Sequence, residues 1–169
     1  MCGICGIVGV SGLRQPESAR LRTNVMFQAL AHRGPDDTGL NLSESAVFGA
    51  TRLAIRGAHD GHQPMVDAAT GVVAVCNGEI DNHRELRRWL EQRGRPVKSA
   101  TDVAVIPNLY LELGADFVGK LTGAFAVAVW DPRIRRLTLA RDRAGERPLF
   151  FEQANEEILF ATEIAGIIS

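Results

Sequence analysis

Cysteine is scarce in this chain: three in 169 residues, at positions 2, 5 and 76. So few thiols make no disulfide framework. Cys2 and Cys5 form a C-x-x-C, but no second pair answers it and Cys76 is remote. A closed zinc site would need histidines from afar, so no metal is expected. An excess of one charge is also lacking, since 19 Lys and Arg meet 20 Asp and Glu for a net charge of −1. That leaves no electrostatic footprint for nucleic acid or an anionic membrane. No apolar run approaches the ~20 residues of a membrane helix; 124–130 is only strand-length. The N-terminus lacks the basic stretch and long apolar segment of a secretory signal, so the reducing cytoplasm is the expected compartment. There is no internal repeat, no low-complexity tract and no Gly-x-x-x-x-Gly-Lys-Ser/Thr phosphate loop.

What is present is 46% hydrophobic and 23% charged residues, the proportions of a soluble globular protein. The length fits one domain, 1–169, with a sizeable core. Residues 3–10 read as a buried, glycine-rich strand. A helical spacing follows over 16–31, with Leu21, Val25, Met26, Ala29 and Leu30 on one side. Strands are expected near 38–42, 46–55 and 72–76. Asn82 can cap a helix to about 93, stopped by Gly94, and Thr101 or Asp102 can cap the next, to about 113. A helical turn is expected over 117–121. The alternation over 123–131, the turn at Asp131-Pro132-Arg133 and the return over 137–141 read as a hairpin. Strands near 148–152 and 157–161 finish the chain. Strand runs flanked by separate helical blocks give an α+β layered domain.

The most informative residue is Cys2, directly after the initiator methionine and followed by Gly3. Trimming of Met1 would leave Cys2 with a free α-amino group, so that one residue carries both nucleophile and base. A thiol has an ordinary pKa of about 8.5 and an α-amino group about 7.7–8.0, so the amine can take a proton near neutrality. Against this stands the reading of Cys2 as a small buried residue that opens a strand.

The chain resembles the class II glutamine amidotransferases, most closely the N-terminal glutaminase domain of asparagine synthetase B. The resemblance begins at Cys2-Gly3-Ile4 and runs through His32-Arg33-Gly34-Pro35-Asp36 and Arg52-Leu53-Ala54-Ile55 with Gly61-His62-Gln63-Pro64-Met65. It continues through Asn77-Gly78-Glu79-Ile80 with Asn82-His83-Arg84-Glu85-Leu86, then Thr101-Asp102 and Leu121-Thr122-Gly123-Ala124-Phe125-Ala126. It closes with Arg141-Asp142-Arg143-Ala144-Gly145 and Phe160-Ala161-Thr162-Glu163-Ile164. These blocks stand in the family's order over nearly the whole chain. The fold it implies is the four-layer αββα sandwich of the N-terminal nucleophile hydrolases, and the activity it implies is glutamine hydrolysis, with no cofactor.

The resemblance also implies roles. Cys2 is the nucleophile. Asn77 and Gly78 are the oxyanion donors, although Asn-Gly after a strand is by itself a hairpin-turn signal. Arg52 holds the substrate carboxylate, which suits the planar guanidinium fork. Leu53, Ile55 and Arg56 line the same pocket, Glu79 lies on the substrate side, and Asp102 holds the α-ammonium. Without the resemblance Arg52 reads as an exposed strand charge and Asp102 as a helix cap. His62 reads as a hydrogen-bonded structural residue, and the arginines at 84, 87, 88, 133, 135 and 136 as solvated charge.

Three positions depart from the family pattern. Asp81 replaces a tyrosine close to the expected site, where like charge would oppose the substrate carboxylate. Ala104 replaces a glutamate, and Arg147 a lysine. The synthetase half of the relatives, which uses ATP and consumes the ammonia, has no counterpart in these 169 residues. The expected partner is therefore a separate synthetase subunit or an absent C-terminal synthetase domain. A catalytically silent regulatory or interaction module that keeps the fold is the alternative.

Overall fold

The computed structural model describes residues 1–53 and 60–168. Two antiparallel sheets form the centre. The first has the order β2-β3-β1-β9-β8, from strands β1 (Gly3–Gly9), β2 (Asp37–Leu42), β3 (Ala46–Arg52), β8 (Phe150–Ala154) and β9 (Glu157–Ala161). The second has the order β4-β5-β6-β7, from β4 (Met65–Val66), β5 (Val73–Ile80), β6 (Gly123–Asp131) and β7 (Arg136–Arg141). Helices α1 (Pro16–Ala29) and α4 (Ala165–Ile168) pack on the outside of the first sheet. Helices α2 (His83–Glu91) and α3 (Val105–Leu113) cover the second.

Strand alternation assigns each side chain to a layer. Along β1 and β3, the even residues Ile4, Val8, Phe48 and Ala50 meet Val73, Val75 and Trp130 of the second sheet. The odd residues Cys5, Ile7 and Val47 instead meet Ala19, Met26 and Leu30. Along β5, Ala74, Cys76 and Ile80 face Leu86, Ile106 and Leu109 on the covering helices. Three apolar layers thus separate four layers of secondary structure, α-β-β-α, as expected.

Several elements differ locally from the sequence expectation. The buried stripe of α1 is Ala19, Thr23 and Met26, while Leu21 and Val25 face solvent. Thr23 tolerates burial because its hydroxyl donates to the Ala19 carbonyl at 2.8 Å. Asn82 precedes α2 but does not cap it. Its side-chain oxygen accepts the Thr122 N–H at 3.0 Å and its amide donates to the Lys120 carbonyl at 2.9 Å, which ties the helix start to the loop before β6. Residues 102–104 form a 3-10 turn before α3, with no side-chain cap from Thr101. The last hairpin starts at Phe150 rather than near 148. Strand β4 and helix α4 carry too few residues to show a period.

The charges expected to be solvated include three that bind. Arg87 donates to the Val97 carbonyl at 3.2 Å and to the Thr101 carbonyl. Arg133 grips the buried Asp131 at 2.8 Å, and Arg135 reaches the Val10 carbonyl at 2.9 Å.

Asp142 anchors the loop that follows β7. Burial pushes its carboxyl up, but the N–H groups of Glu146, Arg147, Phe125 and Gly145 overcome this and hold it below the usual carboxylate range. Three of these N–H groups donate to its oxygens at 3.0–3.2 Å. Asp142→Ala should therefore cost roughly 1–3 kcal/mol or more, the penalty for stranding buried donors. A carboxyl with a lowered folded pKa contributes stability that is present above its unfolded value, about 3.9, and is lost as pH falls through the folded value. The gap between wild type and variant in thermal denaturation should be full at pH 7 and should close below pH 4. A gap independent of pH would show that the carboxylate charge is not what anchors the loop.

Candidate active site

Parity decides which N-terminal thiol can react. Cys2 and Cys5 are three residues apart, so extended backbone sends them to opposite faces. Cys5 is fully buried under α1, and burial pushes its thiol up to about 12. Cys76 is fully buried on the helix side of β5, and burial first, then the nearby Asp102, pushes its thiol up as well. Cys2 is part-exposed and lines a pocket at one end of the space between the sheets. Its Sγ sits 3.9 Å from the Leu53 carbonyl.

The same pocket is lined by Arg52, Leu53, Asn77, Gly78, Glu79 and Asp102. Seven residues expected from the sequence are thus brought together from four separate segments. Ile55 and Arg56, the other two expected residues, lie outside the described residues.

Asn77 and Gly78 do not form the hairpin turn that their dipeptide signals. They sit inside β5, where Asn77 pairs with Ala126 and Gly78 with Phe125 of β6. Gln63 accounts for the continuation on the other side. Its amide oxygen accepts the Cys76 N–H at 2.6 Å and its amide nitrogen donates to the Cys76 carbonyl at 3.0 Å, which takes over the strand pairing beyond the short β4. Asn77 therefore keeps the parity of Val73 and Val75 and points between the sheets. It is 1% exposed, and neither end of its side-chain amide has a hydrogen-bond partner among the described residues. Gly78 has φ 145°, and a Cβ there would lie 2.1 Å from the Ala124 carbonyl oxygen, so only glycine fits.

Arg52 ends β3 with the parity of Phe48 and Ala50, on the inter-sheet face rather than in solvent, and is 6% exposed. Asp102 is 4% exposed. Its Oδ2 accepts the Ile80 N–H at 2.7 Å and its Oδ1 accepts from the Thr101 hydroxyl at 3.3 Å, so it binds across to β5 instead of capping a helix. The Arg87 bonds to Val97 and Thr101 hold the segment that delivers it.

The chain matches the family model described as a glutamine amidotransferase domain over residues 1–169. It belongs to this family. It is 35% identical over 169 residues to asparagine synthetase [glutamine-hydrolyzing] 2 of Bacillus subtilis, covering 100% of this chain and 22% of that protein. The corresponding enzyme of Asparagus officinalis is 37% identical over 150 residues, covering 89% of this chain and 25% of the relative. The chain thus spans about a quarter of the length of these relatives. Among solved structures, glutamine phosphoribosylpyrophosphate amidotransferase from B. subtilis has a TM-score of 0.79 at 20% identity, covering 99% of this chain and 43% of that one. That likeness confirms the fold.

The pocket also contains residues without an expected role. Gln63, Thr101, Val103 and Arg147 line it. Gln63 was visible only as part of a block, because its task is a long-range backbone pairing. Arg147 arrives on the Asp142-anchored loop, and its Nε is buried without a partner among the described residues. Asp81 is exposed and is not among the residues that line the pocket. Ala104 likewise lies elsewhere, in a surface groove with Pro107 and Asn108. His62 is hydrogen-bonded to Asp37 at 2.8 Å, the structural role expected of it. Among the described residues no cluster of three or more His, Cys, Asp or Glu could hold a metal ion, and no helix is long and apolar enough to cross a membrane.

Proposed function

We propose that residues 1–169 act as one glutaminase domain that hydrolyses the side-chain amide of L-glutamine to glutamate and ammonia. The observation that carries this reading is the buried, unpartnered amide of Asn77 in the pocket that Cys2 lines. A buried polar group without a partner costs about 1–3 kcal/mol, and an oxyanion formed on attack by Cys2 would supply the missing acceptor. A silent module would bear that cost with no return.

The chemistry follows from the groups present. Once Met1 is removed, the Cys2 α-amine takes the thiol proton, through a water, and the thiolate attacks the amide carbon. Asn77 Nδ2 and the Gly78 N–H hold the tetrahedral oxyanion. The protonated amine returns its proton to the leaving nitrogen, ammonia departs, and a thioester to Cys2 remains. Water, deprotonated by the same amine, attacks the thioester carbonyl, and glutamate leaves as the thiol reforms. Arg52 takes the substrate carboxylate and Asp102 the α-ammonium, with Leu53 and Glu79 completing the walls.

Arg52→Ala should raise KM for glutamine by ~10–100-fold, because a hydrogen bond to a charged group is worth about 1.5–3 kcal/mol. Hydrolysis of a simple activated ester, which lacks the carboxylate, should stay within about 3-fold. The assay follows glutamate and ester product side by side on one preparation. Equal loss on both substrates would make Arg52 a structural residue and remove the case for an amino-acid substrate.

The ammonia is made for a second, ATP-dependent site on a synthetase partner or on a C-terminal synthetase segment, because protonated ammonia in water is no nucleophile. The segments 141–151 and 161–168 are the docking surface in this reading. They present Phe151, Ile164 and Ile168 at 67%, 54% and 79% exposure, the kind of apolar rim that a partner covers. A free thiol nucleophile suits the reducing cytoplasm.

A further inference from the structure

Cys2 precedes β1, and the ladder to β3 begins only at the next residue, where Gly3 pairs with Thr51. The Cys2 carbonyl is held instead by a side chain from a distant part of the chain. Arg33 Nε donates to it at 3.0 Å. The same guanidinium donates through Nη1 to Glu163 Oε1 at 2.5 Å, and His32 Nε2 lies 3.2 Å from that oxygen. The Arg33 side chain is only 9% exposed, and its Nη2 is buried without a partner among the described residues.

This arrangement is a poor device for stability. Burying a cation costs more than a single ion pair returns unless the remaining donors are also satisfied, and here one is not. What the pair does hold is the Cys2 carbonyl, and with it the plane of the Cys2–Gly3 peptide from which the thiol-bearing Cα and the α-nitrogen extend. We propose that Glu163 is a positioning residue for Cys2, acting through Arg33 to hold the nucleophile in line with Asn77. This rests on the reading of Cys2 as the nucleophile. Glu163 does not line the pocket and touches no reacting atom.

Two further observations agree. The Arg33 hydrogen bond outweighs burial in holding the Glu163 carboxyl below its ordinary range, so the pair stays charged at neutral pH. The adjacent Thr162 also grips the N-terminal strand, its hydroxyl accepting the Ile4 N–H at 3.3 Å and its N–H donating to the Ile4 carbonyl at 3.0 Å. Residues 162–163 thus hold the first residues of the chain from one side, next to the exposed Ile164. A partner seated on that face would adjoin the support of the nucleophile.

The test uses the processed protein with Glu163→Ala and Glu163→Gln. Misplacing a reacting group by about 1 Å can cost ~100-fold in rate. Glu163→Ala should lower kcat for glutamine by ~10–100-fold with KM within about 3-fold, and Glu163→Gln, which keeps an acceptor oxygen but not the charge, should fall between. Exchange of the Gly3 and Ile4 amides, the first that follow Cys2 and read residue by residue by NMR, should quicken in the same order, while exchange in β5 and β6 is unchanged. A kcat within about 2-fold of wild type in both variants overturns the proposal. So does a loss of kcat that comes with faster exchange throughout both sheets, which would mark a general loss of structure. Failure of the functional reading looks different: the wild type itself would release no glutamate. The exchange measurement then decides by itself whether Glu163 orders Cys2.

Discussion

Cys2→Ala is expected to abolish the proposed glutamate release, by ~1,000-fold or more, and Cys5→Ala to stay within about 3-fold of wild type. The first effect is the loss of the one thiol that lines the pocket among the described residues; removal of a catalytic nucleophile leaves only binding and oxyanion stabilisation to act on water. The second follows from parity. Cys5 is sealed beneath α1, and its thiol, pushed up to about 12, is neutral at any working pH. Cys5→Ala should show in the melting temperature rather than in turnover, because it empties space against Gly49 and Phe27. Steady-state glutamate release and thermal melts on the two variants separate these roles. Activity lost only in Cys5→Ala would reverse the assignment of the nucleophile.

Asn77→Ala should lower kcat by ~100–1,000-fold and change KM by no more than about 3-fold, because an oxyanion donor acts on charge that exists only in the transition state. The same substitution should leave the fold intact. Replacing a hydrogen-bonded buried asparagine is destabilising, but the Asn77 amide has no partner to lose. Its removal relieves a buried unsatisfied group, so the melting temperature should hold or rise. That combination, slower and no less stable, is the signature of a functional residue. A variant that is slower and markedly less stable would show that Asn77 supports β5 rather than the reaction.

These residues were legible in the sequence to different depths. Cys2 and Cys5 fall on opposite faces once the strand is placed, because they are three residues apart, but the uniformly apolar run over β1 shows no alternation that reveals this in the sequence. The Asn-Gly dipeptide misleads because local propensity favours a turn, while β6 on one side and the Gln63 amide on the other supply enough pairing to carry the strand through. Asp102 and Asn82 mislead in the same way. Each has the chemistry of a helix cap, and each is drawn instead to a backbone group brought near by tertiary packing, Ile80 for one and Thr122 for the other. The supports of the site stood in the sequence as members of blocks, but their roles were not legible. Arg33 and Glu163 are 130 residues apart, Gln63 acts on Cys76, and Arg147 depends on a loop folded around Asp142. No periodicity records such pairs. The layered α+β class was readable because it depends on repeated alternation, which many residues report together.

The central claim is that Cys2 serves as nucleophile and, through its own α-nitrogen, as base. Met1 lines the pocket and its retention would turn that nitrogen into an amide, which cannot take a proton at neutral pH. The most direct measurement is therefore glutamate release by two preparations whose intact masses show one to begin at Cys2 and the other to keep Met1. The account predicts glutamate and ammonia in equal amounts from the first and essentially none from the second. Comparable glutamate release from the Met1-retaining protein would contradict it.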